Sequence, residues 1–427
     1  MSTGTVALFA GVVILVVAVS GSLRRFDITT PALFTALGVV LGLTLVDTPP
    51  EDGTVRSIAE LTLALLLFHD AAQVRPHQLR GVAGMCARLL LLGLPLTIAA
   101  GFLFARLVFP GLPAWSALLI AATLAPTDAG LGAATVLNPV VPVRIRRVLN
   151  VESGLNDGLA TPVVLVAIAL GQDGGSVRVR PTVVHALAEL GVGLAVGALL
   201  GAGTAWLVSQ QLVRQRVDAT MVPLAAVAVP LAAYYGAVAL QGNGFIAAFS
   251  AGVAFAGAWT ADATASAGEA EGLDLTDHLA TLLGFAVWTL FGLVAVARLA
   301  TGLDLAAVVF AVAALTVLRM LPVAAVLLGT GLRAPTVAFI GWFGPRGLAS
   351  VVFALIALES LPPSHTLDVV ASTIGLTVLL SVAAHGMSAA PGAAAYGRWV
   401  ARARPTVELA DASAPAVSAL RTSRGAA

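Results

Sequence analysis

The chain has 427 residues, of which 59% are hydrophobic and only 11% charged, against about 25% charged in soluble globular domains. A formal net charge of +1 leaves no general basic surface, which excludes nucleic acid as a partner. All 23 basic residues are Arg, which excludes lysine Schiff-base chemistry, and the one cysteine, Cys86, excludes an internal disulfide. No Cys/His spacing matches a zinc or redox centre, so no cofactor is expected.

The apolar residues fall into long blocks, many of them reaching the roughly 20 residues that a helix needs to cross a bilayer. Alternating β-barrel patterning is absent. In chain order the predicted spans lie near residues 4–20, 30–47, 54–72, 85–108, 114–137, 147–170, 182–208, 219–240, 243–258, 276–297, 304–328, 335–359 and 366–390. The first run lacks a basic leader and a small-residue cleavage site, and Arg24 and Arg25 follow it, so it reads as a span and not a signal peptide. The expected fold class is an all-α polytopic membrane protein of about thirteen transmembrane helices. Residues 1–400 form the membrane domain, and 401–427, rich in Ala, Ser and Arg, read as a short disordered tail.

Arg24, Arg25, Arg75, Arg80, Arg144, Arg146, Arg147, Arg214, Arg216, Arg333, Arg398, Arg402 and Arg404 share one alternating set of loops, whereas Arg56, Arg178, Arg180 and Arg298 lie on the other. Positively charged loops stay inside, which places the protein in the cell inner membrane with its N-terminus outside and its C-terminus cytoplasmic. The stretch from Asp262 to Asp277 reads as an acidic loop on that same side.

Two spans carry breakers. Ala125-Pro126-Thr127-Asp128 interrupts the fifth and Gly344-Pro345-Arg346-Gly347 the twelfth. Proline removes a backbone donor and glycine permits unwinding, which a membrane tolerates only where protein or water satisfies the freed groups. Two broken helices at corresponding places predict two inverted repeats whose breaks cross at a midplane site, although no repeat shows at the residue level. The core-type helices are then those of 85–170 and 304–390, with the remainder serving as scaffold.

Ionisable residues inside spans are functional candidates by default. Asp128 follows the first break, and Glu152, Ser153, Asn156 and Asp157 share one face of the sixth span through two i, i+4 pairs. A hard cation wants several oxygen ligands, which Asp157, Asp128, Ser153 and the Thr127 carbonyl would supply for Na⁺ or K⁺. A proton and a metal ion then compete for one carboxylate site, and that competition is sufficient for antiport. Arg346, in the second break, needs a carboxylate partner, so a structural ion pair between Glu152 and Arg346 is expected, supported by Asn156. Arg319 is equally readable as a helix-end or a functional residue, and His385 as a hydrogen-bonded packing residue. His69 and Asp70 read as residues of the headgroup level.

At these residues the chain resembles the monovalent cation:proton antiporter superfamily, in its sodium/proton exchanger branch. The matching strings are Ala-Pro-Thr-Asp (125–128), Glu-Ser-Gly-Leu-Asn-Asp-Gly (152–158), Gly-Pro-Arg-Gly (344–347) and Leu-Ser-Val-Ala-Ala-His-Gly (380–386). The resemblance implies a homodimer in the lipid bilayer, each protomer with a dimerisation domain and a six-helix core moving like an elevator. It implies cation binding by Asp157, Asp128, Ser153, the Thr127 carbonyl and, through water, Glu152. Asn156 in place of a second Asp implies electroneutral one-for-one exchange of Na⁺, Li⁺ or K⁺ for H⁺ by a secondary transporter, not an enzyme. Relatives carry an acidic residue after Leu-Phe at the end of the third span, where this chain has His69-Asp70. The competing classes are a cation channel, which wants a carbonyl-lined filter or an acid ring, and an intramembrane aspartyl protease, which wants two Asp sharing a proton.

Overall fold

The structure, a computed structural model, describes residues 3–25, 29–44, 52–74, 81–128, 130–131, 138–172, 179–259, 263–299 and 304–410. Among these the regular structure is entirely helical. The helices are α1 (Thr3–Arg25), α2 (Thr30–Thr44), α3 (Asp52–Gln73), α4 (Ala83–Val108, with a π turn at Leu89–Gly93), α5 (Ala114–Leu124), α6 (Val143–Gln172), α7 (Val179–Val213) and α8 (Val222–Ala239). They continue as α9 (Gly244–Ala258), α10 (Ala263–Leu299), α11 (Leu305–Leu315), α12 (Val317–Val326), α13 (Ala334–Trp342), α14 (Leu348–Ser360), α15 (His365–Ala403) and α16 (Thr406–Leu409). Within the described residues the expected spans overlap helices or helix pairs, the fifth only over Ala114–Leu124. Among the described residues seven segments are long and apolar enough to cross a membrane.

Three sequence expectations change. The supposed acidic loop is helical from Ala263 on, as the start of α10, while Asp262 lies outside the described residues. The supposed disordered tail begins too early, because α15 runs to Ala403 and α16 is docked with Glu408 buried; 411–427 lie outside the described residues. The run 304–328 is split at Thr316, whose φ of −118° and ψ of −98° leave the helix. Its hydroxyl donates back to the Val312 carbonyl at 2.6 Å, and neither Gly nor Pro marks the place.

The helices pack as two groups. One joins α2, α3, α7, α8, α9 and α10; the other joins α4, α5 and α6 to α11 through α15. They meet where α3 lies against α14 and α6, and where α10 lies against α14 and α15. Lipid tails are as apolar as leucine, so helices here gain by close approach more than by apolar burial. On α7, Gly193, Gly197 and Gly201 face α9 at four-residue spacing; a Cβ on Gly197 would lie 2.1 Å from the Ala247 carbonyl oxygen. Leu91, Leu103, Leu107, Leu194 and Leu199 stay exposed, as suits a lipid solvent.

Candidate functional site

Pro126 has no N–H to continue α5, so the helix stops at Leu124 and the backbone runs open through Thr127 and Asp128. Likewise α13 stops at Trp342, and α14 restarts at Leu348 after Gly344-Pro345-Arg346-Gly347. The two breaks are joined by their own backbones. Asp128 N–H donates to the Pro345 carbonyl at 2.8 Å, and Leu348 N–H donates to Asp128 Oδ2 at 2.9 Å. Asp128 Oδ1 accepts from the N–H groups of Gly130 at 2.6 Å and Leu131 at 3.3 Å. The first turn of α14 leaves orphan donors, and Gly347 offers no side chain to cap them, so Asp128 does so from the other break. Sequence reasoning missed that role because the two segments are about two hundred residues apart.

A second tie runs from Ser350 Oγ to the Thr123 carbonyl, 2.7 Å. Thr127, 4% exposed, is held by α6: Ser153 Oγ donates to its carbonyl at 2.6 Å and Asn156 Nδ2 to its Oγ1 at 2.7 Å. The polar face read from the i, i+4 spacing therefore meets the first break. Glu152, Ser153, Asn156 and Asp157 are all buried on it. Among the described residues none donates a hydrogen bond to the Asp157 carboxylate; Thr161 bonds only its backbone oxygen, at 2.7 Å.

The ion pair differs from the expected one. Glu152 Oε1 takes Arg319 Nη2 at 2.5 Å, both side chains almost wholly buried. The reason is geometric. Gly344 has no side chain, and a Cβ there would lie 2.9 Å from Arg319 Nε and 2.8 Å from Thr127 Cγ2, so the glycine leaves the path by which Arg319 crosses to α6. Arg346, 1% exposed, instead donates from its two Nη atoms to carbonyls freed at helix ends, those of Gly344 and, at 3.1 Å, Ala314. Its N–H donates to Ser381 Oγ at 2.6 Å. Asn156 supports Thr127 and not that pair. His385 is a hydrogen-bonded packing residue, with Nδ1 beside Ser381 and Nε2 at 2.9 Å from the Trp342 carbonyl.

Asp70 stands near the end of α3. It is half-buried against Gly154, where a Cβ would lie 3.3 Å from the Asp70 carbonyl oxygen and 3.7 Å from its Cβ. His69, 5% exposed, lies 3.6 Å from Asp277.

Removing one partner of a buried ion pair costs about 3–5 kcal/mol because the other charge is left behind. Arg319→Ala is accordingly expected to lower the yield of folded, monodisperse protein severely in size-exclusion chromatography. Arg346→Gln, which keeps donors for the same carbonyls, should stay near wild type; the reverse order would undo the pairing.

A helix pair broken at Gly344–Gly347, whose break is joined to the open end of α5 beside buried acids within an apolar bundle, is a pattern of polytopic carriers. The chain belongs to the family described as "Sodium/hydrogen exchanger, transmembrane", whose model matches residues 11–394. It is 26% identical over 346 residues to the K(+)/H(+) antiporter NhaP of Alkalimonas amylolytica, covering 80% of this chain and 57% of that protein. It is 30% identical over 221 residues to the Na(+)/H(+) antiporter ApNhaP of Aphanothece halophytica, covering 50% of this chain and 40% of that one. The chain thus spans about half the length of the curated relatives it matches. Its fold is similar to that of the sodium proton antiporter MjNhaP1 from Methanocaldococcus jannaschii at pH 8, with a TM-score of 0.74 at 19% identity, over 92% of this chain and 98% of that one.

Proposed function

We propose that the protein is a secondary transporter exchanging Na⁺ or Li⁺ for H⁺, one for one and without net charge movement, by alternating access. The reading is carried by one observation: the α6 face bearing Asp157 meets the Thr127 break, and among the described residues none donates a hydrogen bond to the Asp157 carboxylate. A buried carboxylate without a partner wants either a proton or a cation. Among the described residues no three Asp, Glu, His or Cys side chains are gathered to hold a metal by themselves. A cation would therefore draw on the Ser153 hydroxyl and the Thr127 carbonyl together with Asp157 and Asp128, and on Glu152 through water.

The two packing groups suit a core that slides against a scaffold in an elevator-type motion, two protomers joining through their scaffolds as a homodimer. The arginine pattern supports an inner-membrane location with the N-terminus outside and the C-terminus cytoplasmic. K⁺ in the same site is the second reading, favoured because the Alkalimonas relative is named a K(+)/H(+) antiporter.

The test is a pH dye inside proteoliposomes challenged with Na⁺, Li⁺ and K⁺, with and without an imposed voltage. Na⁺ is expected to dequench the dye equally in both conditions. A response to K⁺ alone would select the second reading. A voltage-driven signal would remove electroneutrality, and silence to all three ions would remove exchange.

A further inference from the structure

Past Ala403 the chain turns at Arg404, whose φ of 41° is left-handed, and lays α16 back over the arginine-bearing ends of other helices. Glu408, on that four-residue helix, is only 1% exposed. Its Oε1 accepts from Arg333 N–H at 2.9 Å and from Thr336 Oγ1 at 2.8 Å, and the Thr336 hydroxyl also meets Tyr396 Oη at 3.0 Å. Arg333 is the residue before α13, and it caps that helix with no side-chain bond of its own. Next door, the Val407 carbonyl accepts from Arg144 Nη1 at 2.8 Å, while Arg144 Nη2 reaches the Gly81 carbonyl at 2.8 Å. Arg144 stands at the start of α6.

We infer that Glu408 is a positioning residue for the exchange site: brought back from beyond the last long helix, it fixes the start of α13, and its segment ties α13 to the start of α6. Those two helices carry the parts that must stay in register. Nine residues separate the capped end of α13 from its break, where the Pro345 carbonyl holds Asp128 N–H. On α6, Ser153 and Asp157 lie about three turns beyond Arg144. A lone need for a helix cap would be met by Ser or Asp at position 333. Burying a carboxylate from 75 residues away is a costlier solution, and what it adds is a fixed distance between the two helices. A change in that distance is felt at the Thr127–Ser153 and Asp128–Pro345 contacts, so it appears first in cation affinity.

The inference rests on the exchange reading, and its test separates the two. Full-length Glu408→Ala, Glu408→Gln and Thr336→Ala are compared with wild type in proteoliposomes for half-saturating Na⁺ and maximal rate. Amide deuterium uptake over residues 333–348 is followed in parallel. Loss of a cap worth about 1 kcal/mol predicts a half-saturating Na⁺ about fivefold higher in Glu408→Ala, with maximal rate nearly kept and faster uptake at the start of α13. Glu408→Gln, whose amide oxygen still accepts both donors, should restore wild-type values. If wild type itself moves no cation, the exchange reading fails, and the deuterium arm still judges the cap. Unchanged half-saturation with unchanged uptake overturns the inference, and so does a fall in rate and yield at unchanged half-saturation. Should Glu408→Ala fail to fold, Thr336→Ala decides: it loses one of the two donors and is expected to weaken Na⁺ about twofold. Wild-type affinity there is fatal to the idea.

Discussion

Replacing Asp157 by Asn is expected to abolish Na⁺-driven proton movement in everted vesicles while the protein stays in the membrane at wild-type abundance. Asn keeps the size and the hydrogen-bonding edge of the side chain but can neither release a proton nor offer a negative charge to a cation. Folding should not suffer, because none of the bonds that join the breaks end on this carboxylate. Asn also removes the charge that burial penalises, while keeping a polar edge. Thermal unfolding in detergent is therefore expected at or above the wild-type temperature. Exchange persisting in Asp157→Asn would take the residue out of the mechanism, whatever its place in the fold.

The second large effect is expected at Gly347. Its φ of −132° is negative, so no left-handed backbone sets the demand for glycine. The demand is steric: a Cβ there would lie 1.8 Å from Asp128 Oδ2 and 2.3 Å from Asp128 Cβ and Cγ. Gly347→Ala must expel the Asp128 side chain from the start of α14, losing the Leu348 N–H bond and spreading the crossing. Overpacking and the lost cap together amount to about 2–4 kcal/mol. Both exchange and thermal stability should fall steeply. Gly257→Ala is the matched control, since a Cβ at Gly257 meets nothing within 4 Å. Equal behaviour of the two variants would show that the close packing of the breaks is not needed.

Much of the site could be read from the chain because its signals are local. The i, i+4 spacing of Glu152, Ser153, Asn156 and Asp157 dictates a shared helix face whatever surrounds it. Pro126 and Pro345 interrupt a helix in any context. What could not be read depends on where distant segments arrive. Arg319 and Arg346 are equally buried and equally charged; which of them reaches Glu152 is decided by the gap at Gly344 and by the carbonyls that open near Ala314. The split at Thr316 has no breaker residue, so hydropathy ran straight through it. Composition made the segment after Arg402 look unstructured, whereas Glu408 is drawn in by two donors on the α13 start. Asp70 looked peripheral because it ends an apolar run, and only the packing of α3 on α6 carries it beside Gly154.

The flanks of α3 are unequal. Toward α9 it is keyed tightly, since a Cβ on Gly252 would come within 2.3 Å of the Phe68 carbonyl oxygen, whereas toward α6 the corresponding clearance at Gly154 is 3.3 Å. A shaft seated in a slot on one side and merely resting against its neighbour on the other gives way first on the looser side. The proposed displacement of one half of the molecule past the other would then meet its least resistance along the seam where Asp70 rests on Gly154, and bulk added at Gly154 would act there as a brake.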